Sequence, residues 1–463
     1  MTHTTHTSQR PQPHLPDLPP IAVAQLDLDG FDGKALSLRP APGGPPLEEG
    51  SVHALVRLRG RPVGTVLCQV RAGEDPAETL AAAFRAQTGG KGRNEPSAPE
   101  NPATPPRTSV VVATRDRGGQ LARTLDSLLA QDHPDFRVLV VENVPRTTAT
   151  RDLVTSRYAG RVDYVQEPRP GLANAHNRGV TAADGTVIAF TDDDVVADPH
   201  WLTALTTPFA TDPGLGCVTG LILPARLTTP AQILLESHGG FAKGFASRLY
   251  DPARPPADEP LFPFTAGSFG SGANMAFRAG ALRSVGGFDP ATGTGTPARG
   301  GDDLYAFVRI LSAGHRLRYT PEALVWHHHR ETWQDLRNQA YGYGSGLTAY
   351  LTAILVRRPA LLPALLAKVP RGLAHARAIT AHRADGSGEA ASGAPGAHGA
   401  QAYPWPRALS RLERRGMLYG PLGYAKARVR VRAQARTPGP RTPGPRTPEQ
   451  GKWTGAQWTG GQP

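Results

Sequence analysis

Between Ser109 and Asp194 the chain repeats one pattern. A short apolar run ends in polar residues, and a more polar stretch follows before the next run. SVVVATRD begins at Ser109, RVLVVEN spans 137–143, RVDYVQE spans 161–167 and TVIAFTDDD spans 186–194. Runs of this length, rich in Val and Ile and with little internal alternation, are the mark of strands buried on both faces. After the first run, Leu121, Leu125, Leu128 and Leu129 recur at i, i+4, i+7 and i+8, one face of a helix. Gly171 to Ala183 reads as a helix of small residues. Strand and helix alternate, which predicts an α/β class with a mostly parallel sheet flanked by helices. Ligands bind such sheets beyond the carboxyl ends of the strands. The polar residues waiting there are Arg115, Asp116, Glu142, Asn143 and Asp192 to Asp194.

The flanks differ. Residues 1–20 are expected to be disordered. Residues 21–90 form a small α+β accessory module. In it, His53 to Arg59 and Val63 to Val70 flank Gly60-Arg61-Pro62 as a hairpin, and Asp75-Pro76-Ala77-Glu78 resembles a helix capping box. Residues 91–107 are a polar, Pro-rich linker and 108–335 the α/β domain. A helical extension (336–375), a loose linker (376–403), a basic helical segment (404–432) interrupted at Gly420-Pro421 and a disordered Pro/Gly-rich tail (433–463) follow. With 52 Gly and 46 Pro in 463 residues, the chain holds well above the average share of roughly 12%, as a folded core with loose flanks would.

The net charge of +12 is local, since residues 401–463 carry twelve Lys and Arg against two acidic residues. The core therefore draws no support from that charge for a nucleic-acid partner, and none is expected. The tail instead suits an anionic membrane surface, with a solvated tail as the plain alternative. Cys68 and Cys217 form neither a disulfide framework nor a zinc motif. The first twenty residues lack an apolar signal core. The longest apolar tract, Leu347 to Val356, is stopped by Arg357, Arg358 and Pro359 and falls short of the roughly 20 residues of a membrane span. The expected location is the cytoplasm, peripheral at the inner face of the plasma membrane where the tail touches lipid.

Three clusters can carry chemistry. Asp192, Asp193 and Asp194 place adjacent carboxylates at a strand end, where they need a cation or water to screen them. Alternate residues of an extended segment face one way, so Asp192 and Asp194 can share an ion. Oxygen ligands suit Mg²⁺ or Mn²⁺. Asp302 and Asp303 precede an apolar helical run, Leu304 to Leu311, and serve either as a helix cap or as a general base. His327, His328 and His329 are either a surface tract or the source of one imidazole for the same ion, which tilts the site toward Mn²⁺. GSFGSGAN (267–274) lacks the Lys of a phosphate-cradling loop and reads as a close-approach loop, with Asn274 an acceptor or sugar contact.

Taken in order, VVVATRDR, LARTLDSLLAQ, VLVVEN, RPGLANAHNRGVTAADGTVIAFTDDDV, GSGANMAFRAGAL, VGGFD, GGDDLYAFVRILSAG and ALVWHHH resemble a family 2 glycosyltransferase over about residues 108–335. The resemblance implies a GT-A fold, a nucleotide-diphosphate sugar donor and inversion at the anomeric carbon. It places Thr114, Arg115, Asp116, Glu142, Asn174, Asn177, Asp192 and Asp193 at the nucleotide sugar. Asp192, Asp194 and His327 fall on the metal. Asp303 becomes the base, with Asp302 beside it where the family usually has Glu. Glu142 stands where the family often has Asp. The acceptor would be a glycan or lipid-linked hydroxyl in cell-envelope, polysaccharide or glycolipid synthesis. Two rivals share the acidic site: a metal-dependent nucleotidyltransferase, which releases pyrophosphate, and a non-catalytic scaffold that binds sugar nucleotides.

Overall fold

The computed structural model describes residues 17–29, 35–47, 49–89, 103–238, 240–368, 370, 403 and 405–436. The expectations for most of residues 1–20, for 91–102, for nearly all of 376–403 and for the tail beyond 436 lie outside them.

The first module is a four-stranded sheet of order β2-β1-β3-β4, made of β1 (Ala22–Leu28), β2 (Ala35–Pro40), β3 (Gly50–Leu58) and β4 (Arg61–Val70). The predicted hairpin is β3–β4. Its two loop residues, Arg59 and Gly60, both have positive φ (51° and 80°), the turn whose twist matches a two-residue hairpin. Helix Pro76–Thr88 covers the sheet, and Asp75 caps it by accepting from the Ala77 amide at 2.8 Å. The other arm of the box is not formed, because Glu78 faces Arg85.

This module is docked on the larger domain. The Ile21 amide donates to the Leu227 carbonyl at 2.9 Å, and Leu18, Ile21, Val23 and Leu55 share a core with Leu221, Leu223 and Trp326. Arg57 reaches across to Asp198 at 2.5 Å, an ion pair buried on both sides and only four residues past Asp194. A buried cation and anion that satisfy each other lock the two parts together, since losing either partner strands a charge.

The larger domain holds a nine-stranded mixed sheet between helices. Its strands are β5 (Thr108–Thr114), β6 (Phe136–Asn143), β7 (Val162–Glu167), β8 (Val187–Asp192), β9 (Val195–Ala197), β10 (Leu215–Pro224), β11 (Arg248–Tyr250), β12 (Asn274–Arg278) and β13 (Arg316–His327). The order is β11-β13-β10-β12-β8-β5-β6-β7, with β9 paired to β13. The parallel arrangement read from the sequence holds for β8-β5-β6-β7. Beyond β8, strand β12 runs antiparallel to both neighbours, while β10 and β13 are again parallel. The fold class is thus α/β and GT-A-like: a parallel half ending in the acidic motif beside a mixed half.

Helix Trp333–Arg357 lies over the Gly300–Gly301 turn. A Cβ on Gly301, whose φ is +87°, would stand 2.6 Å from the Gly346 carbonyl, so this crossing requires glycine. The C-terminal helix, Arg407–Arg436, packs along Trp333–Arg357 through Gly344, Gly416 and Gly420. It runs unbroken through Pro421, against the interruption expected there. Proline removes the amide that would serve the Met417 carbonyl. The Thr348 hydroxyl donates to that carbonyl at 2.8 Å instead, and Gly420 leaves room for it. Among the described residues no single helix is long and apolar enough to cross a membrane. Trp333–Arg357 with Pro359–Lys368 passes by length and composition only as a pair bent by 109°.

Candidate active site

Strand register brings the predicted residues together. Thr114 lies opposite Glu142, and Ala113 opposite Asp192, so the carboxyl ends of β5, β6 and β8 form one rim. Asp193 and Asp194 make the tight turn from β8 into β9. β9 then pairs antiparallel with the end of β13, Val195 opposite His327. This pairing carries His327 to the acidic turn from 133 residues away in sequence. Asp192, Asp194 and His327 each present one ligand atom, and these atoms all lie within 4.8 Å of one another. The two carboxylates converge through the turn, not through alternation along a strand. Of the three histidines it is His327 that faces the acids, with Nε2 at 3.4 Å from Asp194 Oδ1.

The charges are costly as they stand. Burial, then the neighbouring Asp194 and Asp193 carboxylates, pushes Asp192 well above the usual carboxylate range. Burial and Asp194 also raise Asp193. Burial, then His329 and Arg330, holds the His327 imidazole well below its ordinary value, so it is a neutral nitrogen donor. Two carboxylates and one neutral imidazole around a common point are a donor set that fits Mn²⁺ or Mg²⁺.

Two cations missed in the sequence share this acidic turn. Arg117 donates to Asp193 at 3.1 Å and to Asp194 at 3.3 Å, and Arg330 lies 3.5 Å from Asp194. Their only signal was position, two residues beyond Arg115 and directly after the histidine run. The Thr114 hydroxyl is buried and donates to Asp193 at 2.6 Å, so it braces the turn. Thr124 adds bonds to the Asp193 and Val195 carbonyls at 3.0 and 2.8 Å. Asp193 is thereby held toward Thr114 and Arg117.

Glu142 is buried at the end of β6. One carboxylate oxygen accepts from the Tyr164 hydroxyl at 2.5 Å, and Oε1 has no protein partner among the described residues. Arg115 and Asp116 stand exposed on the rim. Two further expected contact residues are engaged within the fold. Asn177 spends its amide on the Phe288 backbone, donating to the carbonyl and accepting from the amide, both at 2.8 Å. Asn274 is fully buried. It donates to the Leu221 and Ala323 carbonyls at 2.9 and 2.8 Å and accepts from Trp201 Nε1 at 2.9 Å, so it ties strands together and has nothing left for an acceptor. Asn174 is also buried and donates to the Pro170 carbonyl at 2.9 Å, shaping the loop below Gly171.

Asp302 and Asp303 open helix Asp302–Ser312. Asp303 accepts from the Gly272 amide and from the Leu304 amide, each at 2.8 Å, so the Gly-rich loop does make the close approach expected of it. Its side chain is recessed yet accessible. Burial, then the Asp302 charge, lifts it to about 6. Asp302 is buried 3.5 Å from His176 Nδ1, whose ring is enclosed by Phe190 and Phe288. Asp302 also adds to the negative field on Asp192, and Tyr343 senses both Asp303 and Arg330, so Asp303 and the acidic turn belong to one electrostatic neighbourhood.

The model of the family "Glycosyltransferase like family 2" matches residues 105–341. A pre-mycofactocin glycosyltransferase of Mycobacterium tuberculosis is 29% identical over 239 residues, covering 51% of this chain and 46% of that protein. A glucosyl-dolichyl phosphate glucuronosyltransferase of Haloferax volcanii is 24% identical, covering 48% and 69%. The chain thus spans about half the length of the first of these relatives. Among solved structures, a mannosyltransferase of Pyrobaculum calidifontis in complex with GDP-Man and Mn²⁺ shows a TM-score of 0.43 at 20% identity, covering 75% of this chain and 92% of that one. The match takes in β5 to β13, the acidic turn, the Asp302-Asp303 pair and His327, and this chain belongs to the glycosyltransferase like family 2.

Proposed function

We propose that the chain is an inverting glycosyltransferase that moves a sugar from a nucleoside-diphosphate donor to a hydroxyl of a lipid-linked or cell-envelope glycan. The observation that carries this reading is the convergence of Asp192, Asp194 and His327 at the strand ends, with Asp303 as a raised-pKa carboxylate in the same neighbourhood. When bound there, Mn²⁺ or Mg²⁺ supplies Lewis-acid neutralisation of the charge that builds on the departing diphosphate. Asp192, Asp194 and His327 would hold it. Asp303 takes the proton of the acceptor hydroxyl as the oxygen bonds to C1 from the face opposite the diphosphate. The C1–O bond to phosphate breaks in the same step and configuration inverts. Gly272 and Leu304 amides keep the Asp303 carboxylate aimed. Arg117 and Arg330 stand beside the acids as ready partners for phosphate oxygens.

A panel of nucleotide sugars, each with and without Mn²⁺, tests the reading by thermal stabilisation. A ligand that binds only the native state raises its stability, by about 2.7 kcal/mol at a hundredfold excess over Kd. One donor is expected to stabilise strongly with Mn²⁺ and weakly without. Release of pyrophosphate, not of nucleoside diphosphate, would favour the nucleotidyltransferase. No stabilisation by any donor would overturn donor binding altogether.

The acceptor side of the proposal rests on the C-terminal helix. Leu418, Leu422 and Val429 recur on one face of Arg407–Arg436 and are 84%, 52% and 67% exposed. Arg411, Arg414, Arg415, Lys426, Arg430 and Arg432 flank them. An apolar stripe bordered by cations is the composition of a helix that lies in a lipid interface, with about 1 kcal/mol from each cation near an anionic surface. That composition supports the location proposed here, a peripheral protein at the cytoplasmic face of a membrane. The helix is anchored in the domain through Tyr424, which donates to Asp289 at 2.9 Å, so point variants are a better probe than deletion. In flotation, the full chain should rise with phosphatidylglycerol vesicles and not with phosphatidylcholine, and the double change Leu418→Glu, Leu422→Glu should abolish the rise. Equal recovery in all arms would remove the membrane contact.

A further inference from the structure

Behind His327 a line of hydrogen-bonded groups leads away from the acidic turn. His327 Nδ1 is 3.0 Å from His329 Nδ1, and His329 Nε2 is 3.0 Å from Glu236 Oε2. His327 and His329 are both buried, and Phe241 lies against both rings, with centroids 5.3 and 5.5 Å away. Glu236 sits in helix Pro230–Ser237, which is closed at its start by a capping box between Thr229 and Gln232. The same Gln232 donates to the His329 carbonyl at 3.2 Å, so one helix fixes both the backbone and the ring of His329. Gly240, at φ +43°, leaves the space the Glu236 carboxylate fills: a Cβ there would come within 2.7 Å of it.

With a cation on His327 Nε2, the geometry allows one direction only. A nitrogen that ligates a cation points its lone pair at it, so His327 with Nε2 toward Asp194 keeps its proton on Nδ1 and donates from there. His329 Nδ1 must then accept. An imidazole whose Nδ1 accepts carries its proton on Nε2, which meets Glu236, and a carboxylate oxygen can accept it. Every link is satisfied in this order. With the proton order reversed, His327 Nε2 would carry the proton and offer no lone pair to the cation.

We propose that Glu236 and His329 are positioning residues that hold His327 as its Nδ1–H tautomer, so that the Nε2 lone pair is presented beside Asp194. This inference rests on the reading that Asp192, Asp194 and His327 hold a divalent cation. Partners of this kind behind a ligating histidine typically contribute 10- to 100-fold in metal affinity.

The test measures Mn²⁺ binding by the full chain, without donor, using electron paramagnetic resonance of the free ion. Glu236→Leu removes the acceptor and should weaken Mn²⁺ binding about 10- to 100-fold. Glu236→Gln can still turn a carbonyl oxygen toward His329 and should stay within about threefold of wild type. Asp192→Ala separates the two readings. If it loses Mn²⁺ while Glu236→Leu binds as wild type, the positioning role is overturned and the cation site survives. If neither change affects Mn²⁺, the cation site itself fails and the positioning role with it. Rescue by Glu236→Gln is the readout a merely structural role would not move: if Glu236→Gln weakens Mn²⁺ binding as much as Glu236→Leu does, the hydrogen-bonding role is overturned.

Discussion

Replacing Asp303 by Asn is expected to lower turnover by about 10²- to 10⁴-fold while donor binding stays near wild type. That range corresponds to roughly 3–5 kcal/mol of lost transition-state stabilisation. An amide keeps the size of the carboxylate but cannot take the acceptor proton. The fold should hold to within a few degrees in Tm. One of the two backbone amides now served at 2.8 Å would lose its acceptor, and relief from burying a charge beside Asp302 would offset this. The pH profile provides a second readout. Asp303 is lifted to about 6 by burial and by Asp302, and only its ionised form is a base. Activity should therefore rise with pH through about 6 and level off above it. Stability follows the opposite sign for this group. Its folded pKa lies above the unfolded value of about 3.9, so its contribution is fully present below that value and is lost as pH rises through 6. A variant with unchanged turnover, or a profile without an acidic limb, would remove Asp303 from the reaction.

The second large effect concerns Asp194. It stands at the crossing of His327, Arg117 and Arg330, at 3.4, 3.3 and 3.5 Å. Asp194→Ala removes one of three candidate ligands and leaves both arginines, each 38% exposed, free to turn to water. Mn²⁺ affinity should fall by at least tenfold, and the Mn²⁺-dependent stabilisation by the donor, several degrees in wild type, should vanish. Removing an acid from a repelling cluster does not by itself threaten the fold, so Tm without ligand should change little. If donor and Mn²⁺ still stabilise Asp194→Ala as they do wild type, the acidic turn is not where they bind.

The contrast between these acids and the asparagines shows what the sequence carries. β5, β6, β7 and β8 were legible because each is an apolar run with a polar end, and their parallel register follows from strand–helix alternation. Asp192, Asp194 and Asp303 were legible because charge at a strand end or helix start is seldom tolerated without a purpose. The structural ties of Asn274 and Asn177 were not legible, because an amide signals nothing about whether a backbone partner waits for it. Their partners, Leu221, Ala323 and Phe288, lie 49 to 111 residues away. The antiparallel course of β12 and the β9–β13 pairing also depend on long-range contacts that leave no local period. The same holds for Arg117 and Arg330, which matter only because a turn brings the acids to them. The unbroken helix through Pro421 depends on one hydroxyl, Thr348, supplied by another helix.

The central claim is that Asp192, Asp194 and His327 jointly hold a divalent cation at the end of β8. Its most direct test is anomalous diffraction from crystals of the full chain grown with Mn²⁺ and a nucleoside diphosphate. One strong manganese peak is expected in contact with all three side chains, with the diphosphate on its open side. A peak elsewhere, with Asp192 and Asp194 still paired only to protein, would contradict it.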